Sequence, residues 1–187
     1  MSNRVLVVVD MQNDFCTGSL ANEAAVAVIP AIKAKIEEFR KEGLPIIYTK
    51  DTHGKDYLET PEGKSIPVEH CIKGSVGWEI VNELAPAEND LIIEKNEFGW
   101  DGPWSGAIAS AIDGDNEDKD LKETALEDVI VEMTGTCTDI CVISNAEPIA
   151  KIPGVKVVIH ANCCAGLTPE KHDEALKTME NYAMVVR

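Results

Sequence analysis

Apolar runs of strand length alternate along the chain with segments of helical period. Arg4–Asp10 (RVLVVVD) is continuously apolar and β-branched, the pattern of a strand buried on both faces. Leu44–Lys50, Asp90–Glu94, Asp128–Thr134 and Val155–His160 predict four more strands, and Ala183–Val186 a short sixth. Asn22–Glu42 carries Ile29, Ile32, Ile36 and Phe39 at spacings of three and four, an amphipathic helix that Gly43 ends. Pro30 either kinks that helix or marks where its regular part begins. Further helices are predicted at Gly74–Leu84, Ser105–Ile112, Asp139–Ala150 and Pro169–Tyr182.

Apolar strands separated by helices predict a parallel sheet covered on both faces, because parallel neighbours need crossover connections. Right-handed crossovers then give a three-layer, doubly wound α/β domain. The chain has 187 residues with no internal repeat or interdomain linker, which fits a single domain over 1–187. Ligands of such sheets sit beyond the carboxyl ends of the strands. The polar residues placed there are therefore the ones to read.

Composition narrows the partners. With 33 acidic against 17 basic side chains and a net charge of −16, the surface repels phosphate backbones and anionic headgroups. Nucleic acid and membrane are poor partners for it. No apolar run approaches the roughly 18 residues of a membrane helix. The first, Val5 to Val9, stops at Asp10, is too short for a signal-peptide core and has no small-residue cleavage site after it. A cytoplasmic protein with reduced thiols is expected. The six cysteines are irregularly spaced and form no C-x-x-C pair, so neither a disulfide framework nor a zinc ribbon is indicated. Most of them read as buried packing. The acidic stretch Asp113–Asp128 resembles a calcium loop at Asp113, Asp115 and Glu117. Asp118 stands where glycine is needed and Thr124 where glutamate is needed, so it reads as a solvated loop.

Four strand ends carry reactive groups. The first strand ends in Asp10, the second runs into Asp51-Thr52-His53, the third ends at Glu94-Lys95, and the fourth runs through Gly135 into Thr136-Cys137-Thr138-Asp139-Ile140-Cys141. Thr138 and Asp139 are good helix caps, and a thiol in a helix's first turn feels its positive end, which favours thiolate. Asp10 could take the proton of Cys141, giving a nucleophile with a carboxylate base, and Lys95 would supply a fixed positive charge. Asp51-x-His53 puts two ligands on one side of an extended segment. His70 follows a loop that also holds Glu59 and Glu62. One aspartate, two histidines and a glutamate suit Zn²⁺, Mn²⁺ or Fe²⁺, with positions left for water or substrate. Taken singly, each group has a plainer reading as a buried thiol or a strand-end ion pair. Their coincidence at one sheet edge is what makes a site.

The blocks VVVDMQNDF (7–15), DTH (51–53), PVEHCIKGSVG (67–77), EK (94–95), TGTCTDICV (134–142) and NCCAGLTPE (162–170) resemble the isochorismatase-type cysteine hydrolases, and within them the nicotinamidases (pyrazinamidases). The resemblance spans nearly the whole chain in the family's order. It implies a six-stranded parallel sheet, a triad of Asp10, Lys95 and Cys141, and a cis peptide between Thr136 and Cys137. It also implies an oxyanion hole built from the Cys137 and Cys141 amides. Asp51, His53 and His70 match the metal ligands of nicotinamidases, which isochorismatases and most carbamoyl-amide relatives lack. Many nicotinamidases have a further histidine where this chain has none, and Glu62, rather than Glu59, is the expected substitute. The implied activity is metal-assisted deamidation of nicotinamide to nicotinate and ammonia through a thioester, a step of NAD salvage. Phe15 and Phe98 would flank the pyridine ring, and Trp100 or Trp104 would close the pocket. Hydrolysis of another small amide, or a catalytically idle metal-binding homologue, are the alternatives. Assembly into a homo-oligomer is compatible with each. Glu147-Pro148 and His160 depart from the family pattern, where leucines and an aspartate are usual.

Overall fold

A computed structural model describes residues 3–114 and 121–187 of the chain. The strands are β1 (Arg4–Val9), β2 (Ile46–Asp51), β3 (Leu91–Lys95), β4 (Val129–Thr136), β5 (Val155–Ala165) and β6 (Met184–Val186). They form one parallel sheet in the order β3-β2-β1-β4-β5-β6. Helices α1 (Asn13–Cys16), α2 (Glu23–Glu42), α3 (Pro61–Ser65), α4 (Trp104–Asp113), α5 (Ile143–Ala150) and α6 (Pro169–Met179) join them, with 3₁₀ turns at Tyr57–Glu59 and Asn82–Leu84 and a π-helical turn at Thr138–Val142. Asp115, Glu117 and Asp118 of the calcium-like stretch lie outside the described residues.

Alternation along β1 divides the core. Val5, Val7 and Val9 point to one face, where Ala107 and Ile108 of α4, Ala146 and Ile149 of α5, and Leu176 of α6 cover them. Leu6 and Val8 point to the other, against Ile32, Ile36 and Phe39 of α2. Each such side chain removed from water contributes about 1.5–3 kcal/mol, which is why β1 is apolar throughout. The Asn22 side chain caps α2 at its start, accepting from the Ala24 amide, and Gly43 closes it in the left-handed region at φ +67°. Pro30 lies within this helix.

The chain passes from β1 outward through β2 and β3, then returns to place β4 on the other side of β1. The topological switch point is thus the β1–β4 boundary. Val9 and Gly135 are register partners there, and Gly135 has φ +125°. A Cβ on Gly135 would come within 2.1 Å of the Val9 carbonyl oxygen, so only glycine lets the two strand ends approach.

Two expectations need correction. No α-helix forms over 74–84; a 3₁₀ turn at Asn82–Leu84 is the helical part. Its backbone is instead used by the segment after β1: the Asn13 amide donates to the Glu79 carbonyl, the Asp14 amide to Gly77, and the Val81 amide to Met11. β5 runs five residues past the predicted His160, because after a register shift Cys164 and Ala165 pair with Gly135 and Thr136. α5 runs through Pro148 to Ala150, the predicted end, and Pro148 cannot donate to the Ser144 carbonyl.

His160 finds a partner on the α2 face. Its Nε2 lies 2.6 Å from Glu132 Oε2, while Arg4 Nε lies 2.7 Å from Glu132 Oε1. Lys35, Glu38 and Glu42 of α2 extend this network. No described helix is long and apolar enough to cross a membrane.

Candidate active site

The parallel register brings the four strand ends together. Asp51 and Lys95 are direct partners at the ends of β2 and β3, and Asp10 follows β1 next to them. Asp10 has φ +49°, a conformation that costs a non-glycine residue about 1–3 kcal/mol and that aspartate tolerates better than most. Thr49 holds it there, accepting from the Asp10 amide at 3.2 Å and donating to Asp10 Oδ1 at 2.6 Å. Lys95 Nζ stands 2.7 Å from Asp10 Oδ2, 3.4 Å from Asp51 Oδ1 and 3.0 Å from the Glu97 carbonyl oxygen. Three oxygens thus surround the ammonium in a place closed to water. Asp10 Oδ2 has no hydrogen bond of good angle, and its partner is this ammonium.

The electrostatics follow from burial. Desolvation pushes the Asp10 carboxyl up, opposed by Lys95 and reinforced by Asp51. Desolvation also pushes the Cys141 thiol well above its ordinary value, with Lys95 opposing and Asp10 reinforcing. Burial would lower Lys95, but Asp10, Cys141 and Asp51 outweigh it and keep the ammonium charged. Cys141 lies in the π-helical turn ahead of α5. The Thr136–Cys137 peptide is cis.

Asp51, His53, Glu62 and His70 converge, with one donor atom of each lying within 4.8 Å of all the others. His53 Nε2 is 2.9 Å from Asp51 Oδ2 and 3.7 Å from Glu62 Oε1; His70 Nε2 is 3.4 Å and 3.8 Å from the same atoms. His70 Nδ1 is 2.8 Å from the Val68 carbonyl oxygen. That contact fixes the proton on Nδ1 and leaves Nε2 free to bind a cation. Desolvation acts to raise Asp51, but the neighbouring His53 and His70 imidazoles, with the charge of Lys95, hold it well below the usual carboxylate range. Two imidazoles and two carboxylates suit a first-row dication. Glu62 arrives on α3, which Thr60 caps. Gly63 lets α3 lie against the turn before it, since a Cβ there would meet the Tyr57 carbonyl oxygen at 2.0 Å. Glu59 is exposed and outside the cluster.

A cavity of about 480 Å³ opens onto both groups, lined by Cys137, Cys141, Asp51, Glu62 and His70 at one end. Phe15, Phe98, Leu20, Ile140 and Leu167 make its apolar walls. Neither Trp100 nor Trp104 lines it: Trp104 is buried in the core against Trp100, with ring centroids 5.2 Å apart.

Several supporting residues escaped the sequence reading. Gln12 clamps the end of β2, donating to the Asp51 carbonyl at 2.8 Å and accepting from the Asp51 amide at 2.7 Å. Asn145, four residues after Cys141, donates to the carbonyls of Cys141 and Phe98. Thr138 and Asp139, expected as helix caps, make no cap hydrogen bond: His172 of α6 pairs with Thr138, and Asp139 accepts from the Leu167 amide. Gln12, Thr138 and Asp139 lie inside recognisable blocks, whereas Asn145 and His172 lie outside them.

The Isochorismatase domain family matches residues 4–187. The chain is 28% identical over 185 residues to the nicotinamidase/pyrazinamidase of Mycobacterium tuberculosis, covering 97% of this chain and 96% of that one. Its fold superposes on the nicotinamidase/pyrazinamidase of Bacillus subtilis with TM-score 0.79 and 26% identity, over 100% of both chains. It also superposes on the pyrazinamidase of Pyrococcus horikoshii in complex with zinc, with TM-score 0.79 and 25% identity over 99% of both.

Proposed function

The chain belongs to the isochorismatase family, and on that premise we propose that it is a cysteine amidohydrolase converting nicotinamide to nicotinate and ammonia. The observation that carries this reading is the opening of Cys141, Asp51, Glu62 and His70 onto one apolar cavity, with Asp10 and Lys95 buried behind it. Its relatives' names supply the substrate: two are pyrazinamidases or nicotinamidases, and a third was solved with zinc.

Cys141 attacks the amide carbonyl as its proton passes to Asp10. The amides of Cys137 and Cys141 receive the negative charge on the carbonyl oxygen. Asp10 then gives the proton to the departing nitrogen, and ammonia leaves a thioester on Cys141. A water molecule, deprotonated by Asp10, cleaves the thioester to nicotinate and restores the thiol. Lys95 keeps Asp10 oriented and offsets its charge in a site that would otherwise favour a neutral acid. Phe15 and Phe98 flank the ring. Asp51, His53, Glu62 and His70 would hold a divalent ion, which when bound supplies a Lewis-acidic anchor for the ring nitrogen. The reaction belongs to pyridine-nucleotide salvage in the cytoplasm, and every residue named comes from a single domain of one chain.

Incubating the purified protein with nicotinamide and Zn²⁺, and measuring ammonia and nicotinate, tests the proposal. Equal release of the two supports it. Turnover of other amides only would remove the nicotinamide assignment and leave the cysteine chemistry.

A further inference from the structure

The four-residue cluster stands between two cavities. Asp51, Glu62 and His70 line the catalytic one. On the other side lies a second cavity of about 770 Å³, lined by His53 and Glu62 of the cluster and by Asp56, Thr60, Ser65 and Glu97. Glu62, Ile66 and Phe98 belong to both walls and form the partition, while Cys141 and Phe15 border the first alone.

The two approaches differ in chemistry. Phe15, Leu20, Ile140 and Leu167 make the catalytic cavity an apolar passage, suited to a neutral aromatic amide and costly for a hydrated dication. The second cavity carries the exposed carboxylates of Asp56 and Glu97 and leads to a further carboxylate, Glu62. Glu62 is also the most open of the four ligands, its side chain 18% exposed against 3–6% for the other three. It is the one able to hand a cation from solvent to the buried donors.

We infer that a divalent cation reaches and leaves the Asp51–His53–Glu62–His70 cluster through this second cavity, between segments 54–66 and 96–99, and that the amide uses the other. The inference rests on the metal reading of that cluster. It separates two functions that a single opening would force into competition: the ion can exchange while the catalytic cavity is occupied.

The experiment follows Zn²⁺ uptake and release by the metal-stripped protein, using a chromophoric chelator for rates and elemental analysis for stoichiometry. Alkylation of Cys141 with N-benzylmaleimide plugs the catalytic cavity, and Ser65→Trp, at an exposed position, plugs the second. The expected result is that Ser65→Trp slows both rates by roughly tenfold or more, as closing an entry path does, with a single ion still bound at equilibrium. Alkylation leaves the rates within about twofold, since it touches the other passage. In Asp56→Lys/Glu97→Lys, uptake slows by roughly tenfold at low salt and recovers near 1 M salt, where the screening length is about 3 Å. A protein that binds Zn²⁺ normally, with rates set by alkylation and indifferent to Ser65→Trp, overturns the route alone. A parent protein that binds no Zn²⁺ overturns the metal reading together with the route.

Discussion

Lys95 Nζ lies 2.7 Å from Asp10 Oδ2, and neither side chain is more than 1% exposed. The pair holds a negative charge in a place where burial favours the neutral acid. Removing one partner strands the other. Lys95→Met is therefore expected to cost about 3–5 kcal/mol, the usual penalty for an unpaired buried charge. Asp10→Asn/Lys95→Met should recover part of that stability and none of the activity. Denaturant unfolding of the three proteins checks this, and a double variant no more stable than Lys95→Met would count against the pair.

The Asp51–His53–Glu62–His70 cluster makes a sharp distinction between two glutamates three residues apart. Glu62 is within 3.8 Å of both histidine Nε2 atoms, whereas Glu59 faces solvent. Glu62→Gln is expected to weaken Zn²⁺ binding by at least roughly tenfold, and Glu59→Gln to leave it unchanged. Calorimetric titration of the metal-stripped proteins decides between them. Equal affinities would remove Glu62 from the ligand set.

Gly135 is required by two independent observations, its φ of +125° and the Val9 carbonyl oxygen 2.1 Å from where a Cβ would stand. Gly135→Ala should destabilise the fold by about 2–3 kcal/mol or more, because the strain and the clash fall at the same place. Thermal unfolding measures it; a loss below 1 kcal/mol by the same ledger of ordinary surface substitutions would contradict the close approach.

Burial acts to raise Glu132, yet hydrogen bonds from His160 and Arg4 outweigh it and hold the carboxyl at about 2. Its folded value is thus depressed, so its contribution is present above the unfolded value near 4.3 and is lost as pH falls towards 2. The shift corresponds to about 3 kcal/mol. The stability difference between the parent and Glu132→Gln should shrink steadily between about pH 4.5 and 2. A difference that stays constant across that window would show that the network does not hold the charge.

Much of this was legible in the sequence because it depends on local pattern. Val5–Val9 could only be a doubly buried strand, and Asn22 with Gly43 bracketed α2 within a residue. The strand-end groups were legible too, since a parallel sheet must place Asp10, Asp51, Lys95 and the Cys137–Cys141 turn along one edge. What was not legible depends on partners distant in sequence. Segment 74–84 has helical spacing, but its carbonyls serve Asn13 and Asp14, a tertiary demand that local pattern cannot register. Cys141 illustrates the same limit for electrostatics. A place in a helix's first turn favours thiolate, whereas burial beside Asp10 pushes the Cys141 thiol up. The tryptophans failed as pocket residues because an indole is as useful to the core as to a lid, and α4 takes Trp104 inward.

The central claim is that Cys141 forms a thioester with the acyl group of nicotinamide, and rapid acid quench with intact-protein mass spectrometry tests it most directly. During turnover of nicotinamide by the Zn²⁺-loaded protein, a nicotinoyl adduct is expected on Cys141, labile to hydroxylamine and absent in Cys141→Ala, which should release no ammonia. Ammonia release by Cys141→Ala at the parent rate, with no adduct at any quench time, would contradict it.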